Sequence, residues 1–323
     1  MKHMLVTGGA GFIGANFIEY ILRTYDDYRV TNLDSLTYAG NIDNLALVEK
    51  QYNDRYVFVK GDIVDESTVD PLVEQADVVV HFAAETHVDT SIENPDIFLT
   101  TNILGTHTLL KAALKYGKKR FHHVSTDEVF GALPLGGGLF SEKTPYDPRS
   151  PYSASKASSD HLVQAYFHTH DLPTTISNCS NNYGPYQFPE KIIPLFILSA
   201  LQDKELPIYG DGKSVRDYLF VEDHCRAIDM IVHDGVPGES YCVGGGAEKN
   251  GIEIADTILN ILGKPDTLKK FVSDRLGHDR RYAIDNEKMR NTFHWQPVMT
   301  FEEGLKQTIN WYKEHPEWWQ KLI

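Results

Sequence analysis

Short apolar runs alternate along the chain with longer segments whose apolar residues recur every three to four positions. Residues 2–7, 29–33, 56–60, 78–82, 120–124 and 174–177 read as strands. Helical periodicity covers 12–24, 66–75, 95–116 and 152–169 between them. Strands this apolar, separated by helices, imply an α/β fold with a parallel sheet covered on both faces. Beyond residue 180 the pattern loosens. Residues 181–191 are polar, aromatic and Pro-rich, which suits a binding loop. A short strand at 206–209, a loop carrying Arg216 and Asp217, and helices at 221–233, 253–262 and 301–314 follow. They predict a smaller C-terminal α/β lobe over 181–323, mainly for substrate, beside a larger unit over 1–180 to which parts of the later chain return.

The turn after the first strand holds Gly8, Gly11 and Gly14 at G-x-x-G-x-x-G spacing. Such a turn needs positive φ and close backbone approach, and the helix it opens offers N–H groups and a positive dipole end to a pyrophosphate. Alone, the motif reads equally well as a tight strand–helix connection. Asp34 changes that, because the dinucleotide fingerprint expects an acid about 20 residues past the last glycine, on the ribose 2′-OH. A carboxylate there repels a 2′-phosphate, and Ser35, Leu36 and Thr37 provide no Arg to accept one, so NAD is expected rather than NADP. Asp62 with Ile63, and then Ala83 and Ala84, follow the next strand ends, where the adenine and the rest of the dinucleotide would lie. The expectation is a Rossmann-type, doubly wound parallel sheet with its ligand beyond the strand C-termini.

Composition adds bounds. The 323 residues carry a net charge of −14, which disfavours nucleic acid or an anionic membrane as a partner but leaves room for a phosphate ligand held by a few local cations. Cys179, Cys225 and Cys242 show no disulfide or zinc spacing. The first apolar run breaks at Gly8-Gly9, too soon for a signal peptide, and Pro194 interrupts the longest later run. A cytoplasmic protein is expected, and with it no role for the sequon at Asn178.

The stretch Ser125-Thr126-Asp127-Glu128-Val129-Phe130 brings a hydroxyl and two adjacent carboxylates to the end of the 120–124 strand. Tyr152 and Lys156 lie one helical turn apart and face the same way. A Tyr of pKa about 10 is a poor base at neutral pH. A Lys ammonium and a nicotinamide cation nearby would favour its phenolate, and Thr126 can orient the same substrate oxygen. Together these groups would take a carbinol proton as a hydride leaves for NAD. Asp127 and Glu128 read equally as first-turn acids of a capped helix.

The glycine turn, Asp34, and Tyr152 with Lys156 resemble the extended short-chain dehydrogenase/reductase (NAD-dependent epimerase/dehydratase) family across the whole chain. Closer still, Ser125 to Val129, Tyr152 to His161, Asn178 to Lys191, Arg216 to Tyr218, Val221 to His224 and Gly277 to Ala283 are similar to the dTDP-glucose 4,6-dehydratases within it. The resemblance implies oxidation at C4 with Tyr152 as base, removal of the C5 proton by Glu128, protonation of the departing 6-hydroxyl by Asp127, and return of hydride to C6. It implies an NAD site that also includes Phe12, Ile13, Ser35, Leu36, Thr37, Thr101 and Asn182. On the substrate side it implies Thr86 and Thr126 at the sugar, with Asn181, Lys191, Ile192, Pro207, Tyr209, Arg216, Asn250, Arg281 and Tyr282 on the nucleotide diphosphate. A homodimer is implied as well, and the broad apolar faces of the helices from Pro95 and Tyr152 would suit one.

Three positions depart from the family pattern: Phe130 where Tyr is usual, Cys242 where Asn is common, and Gly246-Ala247-Glu248 without a frequent Asn. The lost hydroxyl at Phe130 is expected to alter the sugar pocket. Ser153 with Lys156 fits the S-x-x-K of serine acyl-enzymes by coincidence, because no K-T-G follows. His81, His122 and His123 fall in or beside core strands and predict satisfied structural roles; no metal site is expected. Trp311, Tyr312, Trp318 and Trp319 predict packing on the smaller lobe. A nucleotide-sugar 4-epimerase, a dehydratase acting on another nucleotide sugar such as UDP-glucose, and a silent dinucleotide sensor stand as the competing readings.

Overall fold

A computed structural model describes residues 1–117, 119–274 and 279–323, so Gly277 and His278 of the resemblance lie outside the described residues. Six strands expected from the apolar runs are present: β1 (Lys2–Thr7), β2 (Tyr28–Asp34), β3 (Tyr56–Lys60), β4 (Val78–His81), β5 (Arg120–Thr126) and β6 (Thr174–Cys179). Six more follow: β7 (Asn181–Tyr183), β8 (Leu206–Tyr209), β9 (Val215–Phe220), β10 (Ser240–Val243), β11 (Glu248–Asn250) and β12 (Lys269–Val272). The main sheet is parallel, in the order β10-β6-β5-β4-β1-β2-β3. Its order reverses between β1 and β4, which places the ligand crevice at their C-terminal ends.

Alternation along β1 sends Met4 and Val6 to one face and Leu5 to the other, and each face is covered. Phe17, Ile18 and Ile21 join Cys225, Ile228 and Val232 on the first. Leu109, Leu110 and Val163 cover Leu5, Val79 and Phe121 on the second. The helix Val221–Asp234 and the strand β10 thus return from the later chain to the larger unit. The smaller lobe has its own core, in which Phe196, Ile208, Phe220, Ile258 and Leu305 pack with the buried Tyr312, Trp318 and Trp319.

Two differences from expectation bear on the site. Arg216 and Asp217 lie on β9, paired with both β7 and β11, rather than in a loop. The helix expected over 95–116 is interrupted by a wide π turn, Leu99–Gly105, before Thr106–Lys115. That turn aims the buried Asn102 inward, where its amide accepts from Glu85 N at 2.8 Å and donates to Glu85 O at 3.0 Å and Ser155 Oγ at 2.8 Å. One inserted residue therefore ties the segment after β4 to the Tyr152 helix, a use typical of π turns near functional sites. The expected structural roles hold for His81, which bridges Thr7 and Thr106, and for His122, which bridges Thr175 and Ser177, but not fully for His123, whose buried Nδ1 has no partner.

Candidate active site

The ends of six strands converge on one cleft. Gly8 follows β1 with φ +74°, and a Cβ there would stand 2.5 Å from Ala83 N. A Cβ on Gly14 would stand 2.4 Å from Gly8 O. These contacts pack the turn against the neighbouring strand end and helix, and only glycine allows them. Gly11 caps the helix Phe12–Thr24 without a side chain, so its first N–H groups face the cleft. Asp34 is held by Ala10 N at 2.9 Å and Leu36 N at 2.8 Å; burial pushes its carboxyl up, against those two bonds. Leu36 takes a left-handed φ of +55° to make its bond and does not line the cleft. Ser35, Thr37, Asp62, Ile63, Ala83, Ala84, Thr101 and Asn182 do, with Phe12 and Ile13. The amide of Asn182 is already engaged, donating to Ser180 O and facing His224 Nδ1 at 2.9 Å. The crevice, the cradle of N–H groups and the strand-end acid fit a dinucleotide.

At the far end of this cleft β5 delivers Thr126. Its hydroxyl accepts from Glu128 N at 3.2 Å and caps the short turn Asp127–Phe130, so the two acids do occupy a capped first turn. Asp127 is buried; Thr126 Oγ1 lies 3.3 Å from its Oδ1, and its Oδ2 has no partner. Burial first, then the Glu128 and Asp217 carboxylates, push Asp127 well above the usual range, which favours a neutral acid. Ser150 and Ser153 cap the helix Pro151–His170 reciprocally, with Pro151 in its first turn, and the helix turns Tyr152 and Lys156 into the cleft. Lys156 Nζ donates to Val124 O at 2.9 Å and lies 3.3 Å from His123 Nε2. Burial pulls Lys156 down to about 8, against the Asp160 carboxylate, which raises it. Tyr152 is pushed well up by burial and then by Glu128.

A second cleft, between the sheet and the smaller lobe, meets the first at Thr86, Glu128, Asn181 and Lys191. Ile192, Pro207, Tyr209, Arg216 and Tyr282 line its far side. Arg216 lies over the Tyr282 ring, 4.2 Å from its centroid, and donates to Val215 O and Asp279 O. Asn250 and Arg281 are not brought to this cleft. Asn250 caps the helix Gly251–Leu262 through Glu253, and Arg281 grips Glu248 with two nitrogens while donating to Gly137 O and Gly138 O. Glu248 and those carbonyls satisfy the guanidinium that was expected on the diphosphate. Phe130 also lies outside both clefts, stacked on Phe140 at 5.3 Å, so its missing hydroxyl bears on core packing instead.

Some lining residues had no signal in the sequence. Tyr38 packs edge-on against Phe188 and reaches Glu190 at 3.4 Å, and His87 Nε2 lies 3.5 Å from the same carboxylate. They join the rims of the two clefts. Among the described residues no cluster suits a metal ion, and no helix is long and apolar enough to cross a membrane.

A nucleotide-type crevice running into a Tyr–Lys site defines a dinucleotide-dependent α/β enzyme. Within that class the chain belongs to the family described as GDP-mannose 4,6 dehydratase, which matches residues 5–308. It is 50% identical to a dTDP-glucose 4,6-dehydratase of Neisseria meningitidis serogroup B, covering 100% of this chain and 96% of that one. A dTDP-glucose 4,6-dehydratase from Bacillus anthracis, solved in complex with NAD, matches with TM-score 0.93 and 48% identity over 100% of both chains. The enzyme of that name from Streptomyces venezuelae, also solved with NAD bound, matches with TM-score 0.96 and 45% identity, over 99% of this chain and 100% of that one.

Proposed function

We propose that this protein is an NAD-dependent hydro-lyase that converts dTDP-glucose to dTDP-4-keto-6-deoxyglucose and water. The observation that carries the reading is the meeting of the two clefts at Glu128, with the buried Asp127, whose carboxyl burial pushes well above the usual range, beside it. Bound NAD supplies the hydride acceptor for C4 and the hydride donor for C6, and its cationic ring favours the Tyr152 phenolate. Tyr152 takes the 4-hydroxyl proton, with Lys156 as the neighbouring cation and Thr126 and Thr86 orienting the sugar. The 4-keto group acidifies C5, whose proton Glu128 removes and later returns. Asp127 protonates the 6-hydroxyl, which leaves as water. One turnover therefore adds a proton to Tyr152 and takes one from Asp127, and Thr126 stands next to both.

Lys191 and Arg216 hold the diphosphate, and Asn181, Ile192, Pro207, Tyr209 and Tyr282 enclose the nucleotide. Residues 1–180, completed by the returning elements, carry NAD, and most of 181–323 carries the nucleotide sugar. The protein works in the cytoplasm as a homodimer, and the exposed Ile92, Ile97, Leu99 and Leu104 support such a pairing.

Incubation with dTDP-glucose is expected to give a 4-keto product that absorbs in alkali, with no added NAD consumed. A 4-epimerase needs the Tyr–Lys pair but no adjacent acids, so formation of dTDP-galactose would overturn the assignment. A panel of dTDP-, UDP-, CDP- and GDP-sugars tests the nucleotide, and turnover of none would favour the sensor.

A further inference from the structure

Behind Lys156 lies a largely buried polar cluster of Asp160, His123, Tyr146 and Asn178, which reaches the first cleft through Ser125. Asp160, one helical turn further on and fully buried, receives Ser125 Oγ at 2.9 Å, Tyr146 OH at 2.9 Å and Asn178 Nδ2 at 3.2 Å, all on Oδ2. Burial pushes the Asp160 carboxyl up, and Lys156 together with these three donors on one oxygen pulls it back towards the carboxylate. Its other oxygen, Oδ1, accepts no hydrogen bond and lies 3.3 Å from His123 Nε2, the same nitrogen that Lys156 Nζ approaches. For Lys156 to donate there, Nε2 must keep its lone pair. Burial and the ammonium both push His123 to that neutral form. Among these groups only Lys156 can balance a buried negative charge on Asp160, and an unbalanced charge at such a site is strongly unfavourable.

We propose that Asp160 and His123 form a positioning pair for Lys156. The Asp160 carboxylate is the buried counter-charge that keeps Lys156 an ammonium beneath Tyr152, and His123 fixes where the ammonium points. The inference deepens the proposed reaction and rests on the roles given there to Tyr152 and Lys156. The ionisable groups that face Lys156 are His81 on β4, His123 on β5, Cys179 on β6, and Tyr152 and Asp160 on its own helix. Asp160 is the anion among them that no step of the reaction uses. Burial alone would drive Lys156 towards the neutral amine, and the amine would no longer favour the phenolate.

Asp160→Asn keeps the shape of the side chain and removes its charge. Lys156, followed by NMR of the holoenzyme with isotope-labelled lysine, is expected to lose its proton at a pH lower by about one unit or more. The alkaline limb of the kcat profile is expected to move with it, lowering kcat about tenfold there, while KM for dTDP-glucose stays within about twofold. An unchanged Lys156 titration, or a kcat lowered by the same factor at every pH, would overturn the proposal. If Asp160→Asn does not fold, Asp160→Ser removes the same charge with a smaller side chain and should shift Lys156 the same way. No shift in that variant counts against the proposal equally. Failure of the wild type to turn over dTDP-glucose would sink the proposed reaction, yet the lysine titration would still decide this point.

Discussion

The two clefts that meet at Glu128 are built on different principles. The dinucleotide cleft is shaped by backbone: strand ends, a glycine turn, helix N–H groups and acids held by main-chain donors such as Ala10 N and Leu36 N. The nucleotide-sugar cleft is shaped by long charged side chains that already have protein partners. Arg216 rests on Tyr282 and two carbonyls, and Lys191 lies 3.5 Å from Glu190. The first site is held by main-chain contacts. In the second, a ligand that engages Arg216 or Lys191 exchanges partners with contacts already made.

The contrast can be broken most sharply at the junction. Glu128→Gln is expected to lower product formation by about 10²–10⁴-fold while substrate still reduces the bound dinucleotide, read by absorbance in single turnovers. Undiminished product would remove Glu128 from the chemistry. On the backbone-built side, Gly8→Ala forces a Cβ to 2.5 Å from Ala83 N at φ +74°. It should destabilise the protein by about 1–3 kcal/mol and weaken NAD binding, checked by thermal unfolding and dinucleotide titration. On the side-chain-built side, Arg216→Ala should raise KM about 10–100-fold with a smaller change in kcat and an unchanged melting temperature. A fall in stability instead would mean that the backbone contacts of Arg216 outweigh its part in binding.

Far from both clefts, His233 sits 2.9 Å from Asp229, whose hydrogen bond raises its pKa above 6.5. The charged form is the one stabilised. That contribution is complete below pH 6.5 and is lost as pH rises through the folded value. The melting temperature should drop by about 2 °C across that window, and His233→Ala should flatten the drop. The smallest effect is expected at Phe130→Tyr, which faces Phe140 and Tyr146 and should leave kcat and KM unchanged.

The same division governs what could be read before folding. The glycine turn, Asp34 and the Tyr152–Lys156 spacing are local features, and each landed on the expected cleft. Arg281 did not, because Glu248 and the carbonyls of Gly137 and Gly138 lie 33 to 144 positions away in sequence. Asn102 was hidden within helical periodicity, since one inserted residue leaves the apolar pattern nearly intact. Phe130 pointed away from the sugar pocket for the same reason: its neighbours come from other parts of the chain.

By itself the sequence determined the first six strands of the main sheet, most of the helices between them, the dinucleotide turn and the place of two adjacent acids at the end of β5. Those depend on periodicity and on spacings within one turn or one strand end, which short-range sterics dictate. Only the tertiary structure decided that β10 closes the edge of the sheet, that Glu128 stands where two clefts join, and that Asp160 lies buried behind Lys156. Burial and counter-charge are properties of what packs around a group, and contacts from distant segments supply that packing.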